Sequence, residues 1–229
     1  MIQISKLSVK LSILLFGVLF ALLYWTFLSP PLSKQETDAL NRQLLILALK
    51  NNAKGVSELI SKGADVNSVH TPGQVTALIL AAEKSLSISH LLVKHRANVN
   101  ATDRYGRTAL MKASYADKLD IVNLLLVHNA DVTVKDKFGD TALTQAIYRG
   151  NPALVQTLLE KGANPRNVNT RGESIVMIAE KMVSSVKAMD DSDAHHHHHD
   201  DNDHVVTDKT SALRDRSNIV TIIQRNIAR

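Results

Sequence analysis

Hydrophobic and polar positions recur through most of the chain with a fixed period, which is the step from Thr108 to Thr141. The positions that return at this step include a Thr-Ala-Leu sequence, a Leu-Leu pair and a small residue in a turn, at Thr108 and Thr141, at Leu125 and Leu158, and at Ala64, Ala97, Ala130 and Ala163. The copy that begins at Thr76 is one residue shorter near Ser85, a change that surface turns tolerate. A fixed period of this length predicts a fold made of stacked, repeated units.

Each unit contains two short apolar runs separated by polar turn residues, which predicts a helix, a turn, a second helix and a loop. A hydroxyl that can cap the first helix precedes it in every full unit, at Thr76, Thr108, Thr141 and Ser174. Asn151-Pro152 gives one second helix an N-cap and a proline in its first turn. We expect a left-handed backbone after the second helix at Gly63 and Gly162, with Asn129 and Arg96 in the same place.

The period divides the chain into five units. In chain order they are an N-terminal cap, three full repeats and a C-terminal cap, at residues 38–74, 75–107, 108–140, 141–173 and 174–229. In the last unit the first helix is predicted to reach Met189 and its partner helix to start at Asn218. Between them lies an Asp- and His-rich insertion, residues 190–211, whose charge blocks cannot bury enough surface to fold. This composition predicts a disordered loop.

Residues 11–28 form a continuous apolar run that is interrupted only by Ser12 and Thr26. As a helix, these 18 residues would extend about 27 Å, close to the bilayer core of about 30 Å. The run therefore predicts a transmembrane signal anchor, followed by a linker at residues 29–37. Lysines within residues 1–10 favour a cytoplasmic N-terminus, which places the repeats on the exoplasmic side, in the periplasm if the host is bacterial.

The alternative for this segment is a cleaved signal peptide, which would make the protein secreted. Signal peptides have a shorter apolar region and end in small residues at the cleavage site. Here the run ends in Tyr24, Trp25 and Phe27, followed by Pro30. These bulky residues favour the uncleaved anchor over the secreted form.

Composition excludes several classes of chemistry. The chain has 229 residues, 45% of them hydrophobic, which is enough for a buried core in one or two domains. It has no cysteine, so disulfides, thiol nucleophiles and thiolate metal sites are excluded. Glycine-rich phosphate loops, nucleophile elbows and zinc-protease motifs are absent from the sequence. We therefore expect a protein that is not an enzyme and needs no cofactor or small-molecule substrate.

The repeated units resemble a known family in three consecutive segments. These are Asp103 to Leu110, the apolar run Ile121 to Leu125, and His128 to Val132. Together they resemble the ankyrin repeat, over roughly residues 38–185 and with a last unit completed near residues 215–227. The family's Thr-Pro-Leu-His tetrapeptide is altered here, since Ala replaces Pro and Ile, Met or Thr replaces His. The hydrogen bonds between repeats that this His supplies are therefore absent.

The resemblance implies an all-α solenoid of helix-turn-helix units with capping repeats, here preceded by one transmembrane helix. It is similar in this respect to bacterial-type membrane-anchored ankyrin-repeat proteins. It also implies a membrane-tethered adaptor or scaffold that binds a protein partner on its concave face. The loop tips and the exposed ends of the first helices would face that partner.

Aromatic and basic residues are concentrated at those places. The candidate partner-binding residues are Arg104, Tyr105, Arg107, Tyr115, Lys137, Phe138, Tyr148, Arg149 and Arg171. Tyr and Arg are the residue types that most often carry binding energy at interfaces. The basic side chains favour an acidic partner surface, and no element suited to a nucleic-acid groove is present. The alternative is that the aromatic rings stack on one another along the solenoid and only stabilise it.

The insertion offers a second candidate function. Its possible metal ligands are His195, His196, His197, His198, His199, His204, Asp193, Asp200 and Asp201. Neutral imidazole suits zinc, nickel, copper and cobalt, and carboxylates can complete the coordination. This composition predicts divalent-metal binding and, as the alternative function, metal buffering or delivery. A solvated acidic spacer, an introduced tag, and an acidic loop that folds back on the basic repeats remain open.

Overall fold

The computed structural model of the chain describes residues 32–69, 72–193 and 203–228. In these residues the secondary structure is helical, with only isolated β-bridges between loop residues. The ten helices are α1 (Lys34–Leu49), α2 (Ala53–Ser61), α3 (Ala77–Ala81), α4 (Leu86–Lys94), α5 (Ala109–Tyr115), α6 (Leu119–Val127), α7 (Ala142–Arg149), α8 (Pro152–Glu160), α9 (Ile175–Asp193) and α10 (Asp203–Ile227). The solenoid of paired helices predicted from the period is confirmed.

The helix starts follow the predicted capping residues. Thr76, Thr108 and Thr141 each accept a hydrogen bond from a backbone N–H in the first turn of their helix, at 3.3–3.4 Å. Ser174 does the same at 3.3 Å, and Asn151 accepts from the Leu154 N–H at 3.1 Å. Positive φ angles follow the second helices as predicted, at Gly63 (95°), Arg96 (65°), Asn129 (62°) and Gly162 (91°).

The core lies between successive helix pairs. Its largest fully buried side chains include equivalent residues of successive first helices, Leu78, Leu110 and Leu143, and of second helices, Ile88, Ile121 and Leu154. Helix α5 packs on α7, α7 on α9 and α8 on α10. Burial of one such side chain stabilises the fold by about 1.5–3 kcal/mol. The stack is held together chiefly by these contacts between neighbours.

Asparagine side chains also connect neighbouring units. Asn67 donates from Nδ2 to the Arg96 carbonyl at 3.2 Å and accepts from the Asn98 N–H at 2.7 Å. Asn100, one period later, makes the same two bonds to the Asn129 carbonyl and the Asp131 N–H, at 3.2 and 2.8 Å. Side-chain hydrogen bonds between units are therefore present although the family's histidine is missing.

The described residues contain no helix that is both long enough and apolar enough to cross a bilayer. This finding corrects the predicted fold class, in which a transmembrane helix precedes the repeats. The two longest described helices, α9 and α10, belong to the stack and carry exposed charged residues such as Glu180, Lys187 and Arg214. Residues 11–28 lie outside the described residues, and the exoplasmic location stays a prediction.

The last unit differs from the predicted one around its insertion. Helix α9 continues to Asp193 and α10 starts at Asp203, so both described ends of the predicted disordered segment 190–211 are helical. The two helices pack on each other, and Ile219 and Ile223 of α10 are buried in the core. Once such contacts hold a helix, each added residue gains a backbone hydrogen bond, so the helix extends past its packed part. Residues 194–202 lie outside the described residues.

Candidate partner-binding face

Three loops of the stack form the same tight hairpin because a buried side chain organises each of them. Oδ1 of Asp103 accepts hydrogen bonds from the backbone N–H groups of Tyr105 and Arg107, at 2.8 and 2.9 Å. Asp136 and Asn169 make the equivalent pairs of bonds, at 2.8–3.0 Å. Sequence reasoning missed these three residues, although their recurrence at the repeat period was a signal. They fix the backbone from which the predicted partner-binding side chains project.

The hairpin tips are joined in a row by backbone hydrogen bonds. We define the tip row as residues 104–107, 137–140 and 170–173. The N–H of Lys137 donates to the Tyr105 carbonyl at 2.8 Å, and the N–H of Thr170 donates to the Phe138 carbonyl at 2.9 Å. The N–H of Arg104 donates in the same way to the Gly73 carbonyl, at 2.8 Å. The tips therefore form a continuous, hydrogen-bonded edge.

Exposed aromatic rings lie on this edge and beside it. Tyr105 is 38% exposed, Phe138 51% and Tyr115, at the end of α5, 53%. Tyr148 is half-buried and packs against the core. In the part of the chain that the structure describes, all the exposed aromatic side chains are therefore among the predicted partner-binding residues.

The close contacts of these rings are with guanidinium groups. The Cζ atoms of Arg104 and Arg107 lie 4.9 and 4.8 Å from the centroid of the Tyr105 ring. The Cζ atom of Arg149 lies 5.8 Å from the centroid of the Tyr115 ring. At exposed sites each such contact stabilises by about 0.5–1 kcal/mol. Among the described residues these contacts take the place of the ring-on-ring stacking considered as the alternative.

Three of the nine predicted residues are engaged in hydrogen bonds within the chain. Arg107 binds the carboxylate of Asp103, with Nε and Nη2 at 2.8 and 2.7 Å from Oδ2. Arg171 donates to Glu173 at 2.8 Å and to the Tyr148 hydroxyl at 3.0 Å. These contacts fix the tips and hold Tyr148 in place. The other six predicted residues, Arg104, Tyr105, Tyr115, Lys137, Phe138 and Arg149, present exposed side chains to a partner.

Equivalent positions of successive tips carry opposite charges. Burial acts to raise the pKa of Asp103, but hydrogen bonds from Arg107 and from the Tyr105 N–H hold it below the usual aspartate value. The position equivalent to Arg107 in the next unit is occupied by Asp140. Burial, together with the neighbouring charge of Asp136, raises the pKa of Asp140. The ion pair of one tip is therefore replaced in the next by two buried carboxyl groups.

The last tip is stabilised by a polar network. Hydrogen bonds from Lys181, Asn169 and Arg171 lower the pKa of Glu173 to about 2. Burial raises the pKa of Tyr148, whose hydroxyl accepts a hydrogen bond from Arg171. Glu173 is thus ionised at neutral pH and Tyr148 is neutral, so the network persists around pH 7.

The predicted metal ligands cannot be placed in the same way. Residues 195–201 lie outside the described residues, and the side chains of Asp193 and His204 are not described. Elsewhere in the described chain, His, Asp and Glu side chains form no group of three or more that could hold a metal ion. Metal binding by the histidine run stays a prediction.

Comparison with known families supports the repeat assignment. The family model described as "Ankyrin repeats (3 copies)" matches residues 44–136 and 117–197. These two matches together cover more than half of the chain, from the end of α1 through α9. No curated protein matches the chain.

Proposed function

Because this chain belongs to the ankyrin-repeat family, we propose that it is an adaptor that binds a protein partner through its tip row and the exposed end of α5. Ankyrin repeats are generally protein–protein interaction modules, and they are typically non-enzymatic. The observation that carries the proposal is the placement of Tyr105, Tyr115 and Phe138, which are exposed side by side with basic residues. Exposed aromatic rings next to arginine are typical anchors of protein interfaces.

The organisation of the face supports this function in a second way. The tips are fixed by buried Asp103, Asp136 and Asn169 and joined to each other by backbone hydrogen bonds. A binding surface that is already ordered loses less conformational entropy when a partner docks. The rings and cations are therefore held in position before binding.

Tyr115→Ala combined with Phe138→Ala is expected to weaken binding of the partner at least tenfold, since an aromatic anchor contributes about 2 kcal/mol or more. The partner would first be identified by a photo-crosslinking amino acid at position 105 in the full-length chain, and then titrated in purified form. The unfolding midpoint should change little because both rings are about half exposed. Tyr148 is less suitable because it also packs against the core.

Leu86→Ala combined with Val127→Ala provides the matched control. Both residues are exposed and apolar, at 44% and 74%, and lie outside the tip row. This pair should leave the affinity within twofold of the original chain. An unchanged affinity in the Tyr115 and Phe138 variant, or an equal loss in the control, would contradict the proposed binding face.

A second proposal concerns the histidine run, in which five consecutive histidines are flanked by aspartates. The expected result is that zinc releases heat on binding to the full-length chain and that this heat is lost when residues 194–202 are deleted. Imidazole nitrogens and carboxylate oxygens would form the coordination, with affinities following the general order of divalent metals. Isothermal titration calorimetry checks this, and equal heats for the two chains would reject it.

A further inference from the structure

The guanidinium groups of this face fall into two classes. Two of them already bind a carboxylate of their own chain: Arg107 binds Asp103, and Arg171 binds Glu173. Arg104 and Arg149 are both exposed, and among the described residues no acidic side chain pairs with either of them. The face therefore carries two cations whose hydrogen-bond donors are available to another molecule.

Both available guanidinium groups are held against a tyrosine ring. The Cζ atom of Arg104 lies 4.9 Å from the centroid of Tyr105, and that of Arg149 lies 5.8 Å from the centroid of Tyr115. A guanidinium that rests on a ring by its face keeps the N–H groups of its edge free for in-plane hydrogen bonds. Such a planar edge matches a carboxylate, which can accept two parallel hydrogen bonds from it.

Arg107 shows what this arrangement binds. Its Cζ lies 4.8 Å from the centroid of the same Tyr105 ring, while its Nε and Nη2 donate to Oδ2 of Asp103 at 2.8 and 2.7 Å. A guanidinium supported by Tyr105 thus already binds a carboxylate within this protein. Arg104 has the support without an acidic group of its own.

We propose that Arg104 and Arg149 bind carboxylates of an acidic peptide segment in the partner, and that Tyr105 and Tyr115 are positioning residues that orient the two guanidinium groups. This inference rests on the proposed function and defines the chemistry of the partner. Tyr105 precedes α5 and Tyr115 ends it, and a helix of seven residues is about 10 Å long. An extended peptide covers that distance in about three residues, so acidic residues a few positions apart reach both sites.

The test uses two fluorescein-labelled peptides in fluorescence anisotropy titrations with the full-length chain. One peptide alternates glutamate with glycine over ten residues, and the other has glutamine in place of every glutamate. The glutamate peptide is expected to bind at least ~fivefold more tightly, because charge-assisted hydrogen bonds are about twice as strong as neutral ones. Equal binding of the two peptides, or no binding of the glutamate peptide, would overturn the inference.

Arg104→Lys combined with Arg149→Lys separates planar recognition from charge. Lysine keeps the net charge but offers a point charge in place of the fork, so the affinity for the glutamate peptide should fall about fivefold. Lys62→Arg combined with Lys161→Arg, at exposed positions after α2 and α8, is the matched control and should leave the affinity unchanged. Binding by the Arg104 and Arg149 variant at the original strength would overturn the inference.

Two variants at position 115 test the positioning role. Tyr115→Leu removes the ring beneath Arg149 and should weaken glutamate-peptide binding, while Tyr115→Phe keeps the ring and should restore it. Equal weakening by both variants would argue against ring support. If both peptides bind equally and both are lost with Tyr115→Ala and Phe138→Ala, carboxylate recognition fails while the proposed binding face stands. Tighter binding of a single-stranded oligonucleotide than of the glutamate peptide would also overturn the inference.

Discussion

Gly139→Ala is expected to destabilise the fold by about 2–5 kcal/mol, one of the largest effects that a single methyl group can have in this chain. Gly139 has a φ of +74°, which costs a residue with a Cβ about 1–2 kcal/mol. A Cβ at this position would also lie 3.0 Å from the Asn169 Cα and 3.0 Å from the Thr170 nitrogen. Both are backbone atoms of the next tip, so the methyl group would push neighbouring units apart. Equilibrium urea unfolding followed by circular dichroism measures the loss.

Gly172→Ala is the matched control for this prediction. Gly172 occupies the same position in the last tip, one period after Gly139, and has a φ of +75°. A Cβ there would meet nothing within 4 Å. This variant should therefore lose only about 1–2 kcal/mol, the cost of the left-handed backbone. Equal losses for the two variants would show that the tips do not approach each other as closely as the structure indicates.

Asp103→Ala is expected to destabilise the fold by about 2–4 kcal/mol, because it removes a buried acceptor that serves several donors. Asp103 is 4% exposed and accepts from the N–H groups of Tyr105 and Arg107 and from the Arg107 side chain. Asp103→Asn should cost only about 1 kcal/mol, since the Arg107 side chain is partly exposed and its ion pair is screened by solvent. Asn169 shows that an amide oxygen can organise the same hairpin. Urea unfolding of both variants separates the hairpin bonds from the ion pair.

The pH dependence of this pair has a defined sign. The pKa of Asp103 is lowered in the folded chain, so its ionised form adds stability above the usual aspartate pKa and loses it as the pH falls through the lowered value. The stability difference between the original chain and Asp103→Asn should thus be constant near pH 7 and shrink in acid. A difference that grows on acidification, or an Asp103→Asn loss as large as that of Asp103→Ala, would contradict this role.

The candidate site was predictable in part. The exposed residues Tyr105, Tyr115 and Phe138 stand out in the sequence because aromatics are rare in this chain and recur at the repeat period. The sequence did not distinguish them from Tyr148, which is half-buried and hydrogen-bonded to Arg171. Whether a ring is covered depends on side chains contributed by the next unit, which a single repeat does not contain.

The same limit applies to the charged residues of the face. In the sequence, Arg104 and Arg107 look equivalent, as do Arg149 and Arg171. In the structure Arg107 and Arg171 form ion pairs within the chain, while Arg104 and Arg149 rest on tyrosine rings. An ion pair requires two groups within a few ångströms, and side-chain directions decide that distance. Only the folded arrangement separates residues that shape the face from residues that can bind a partner.

The sequence by itself determined the repeated helix pairs, their caps and the positions of the hairpin tips, because these depend on local periodicity and on short-range hydrogen bonds such as that of Thr141. The tertiary structure alone decided how far α9 and α10 extend, how closely Gly139 approaches the next tip, and which arginines remain available. These properties arise from contacts between units that are distant in the chain. They follow from how neighbouring surfaces fit together, which no local pattern specifies.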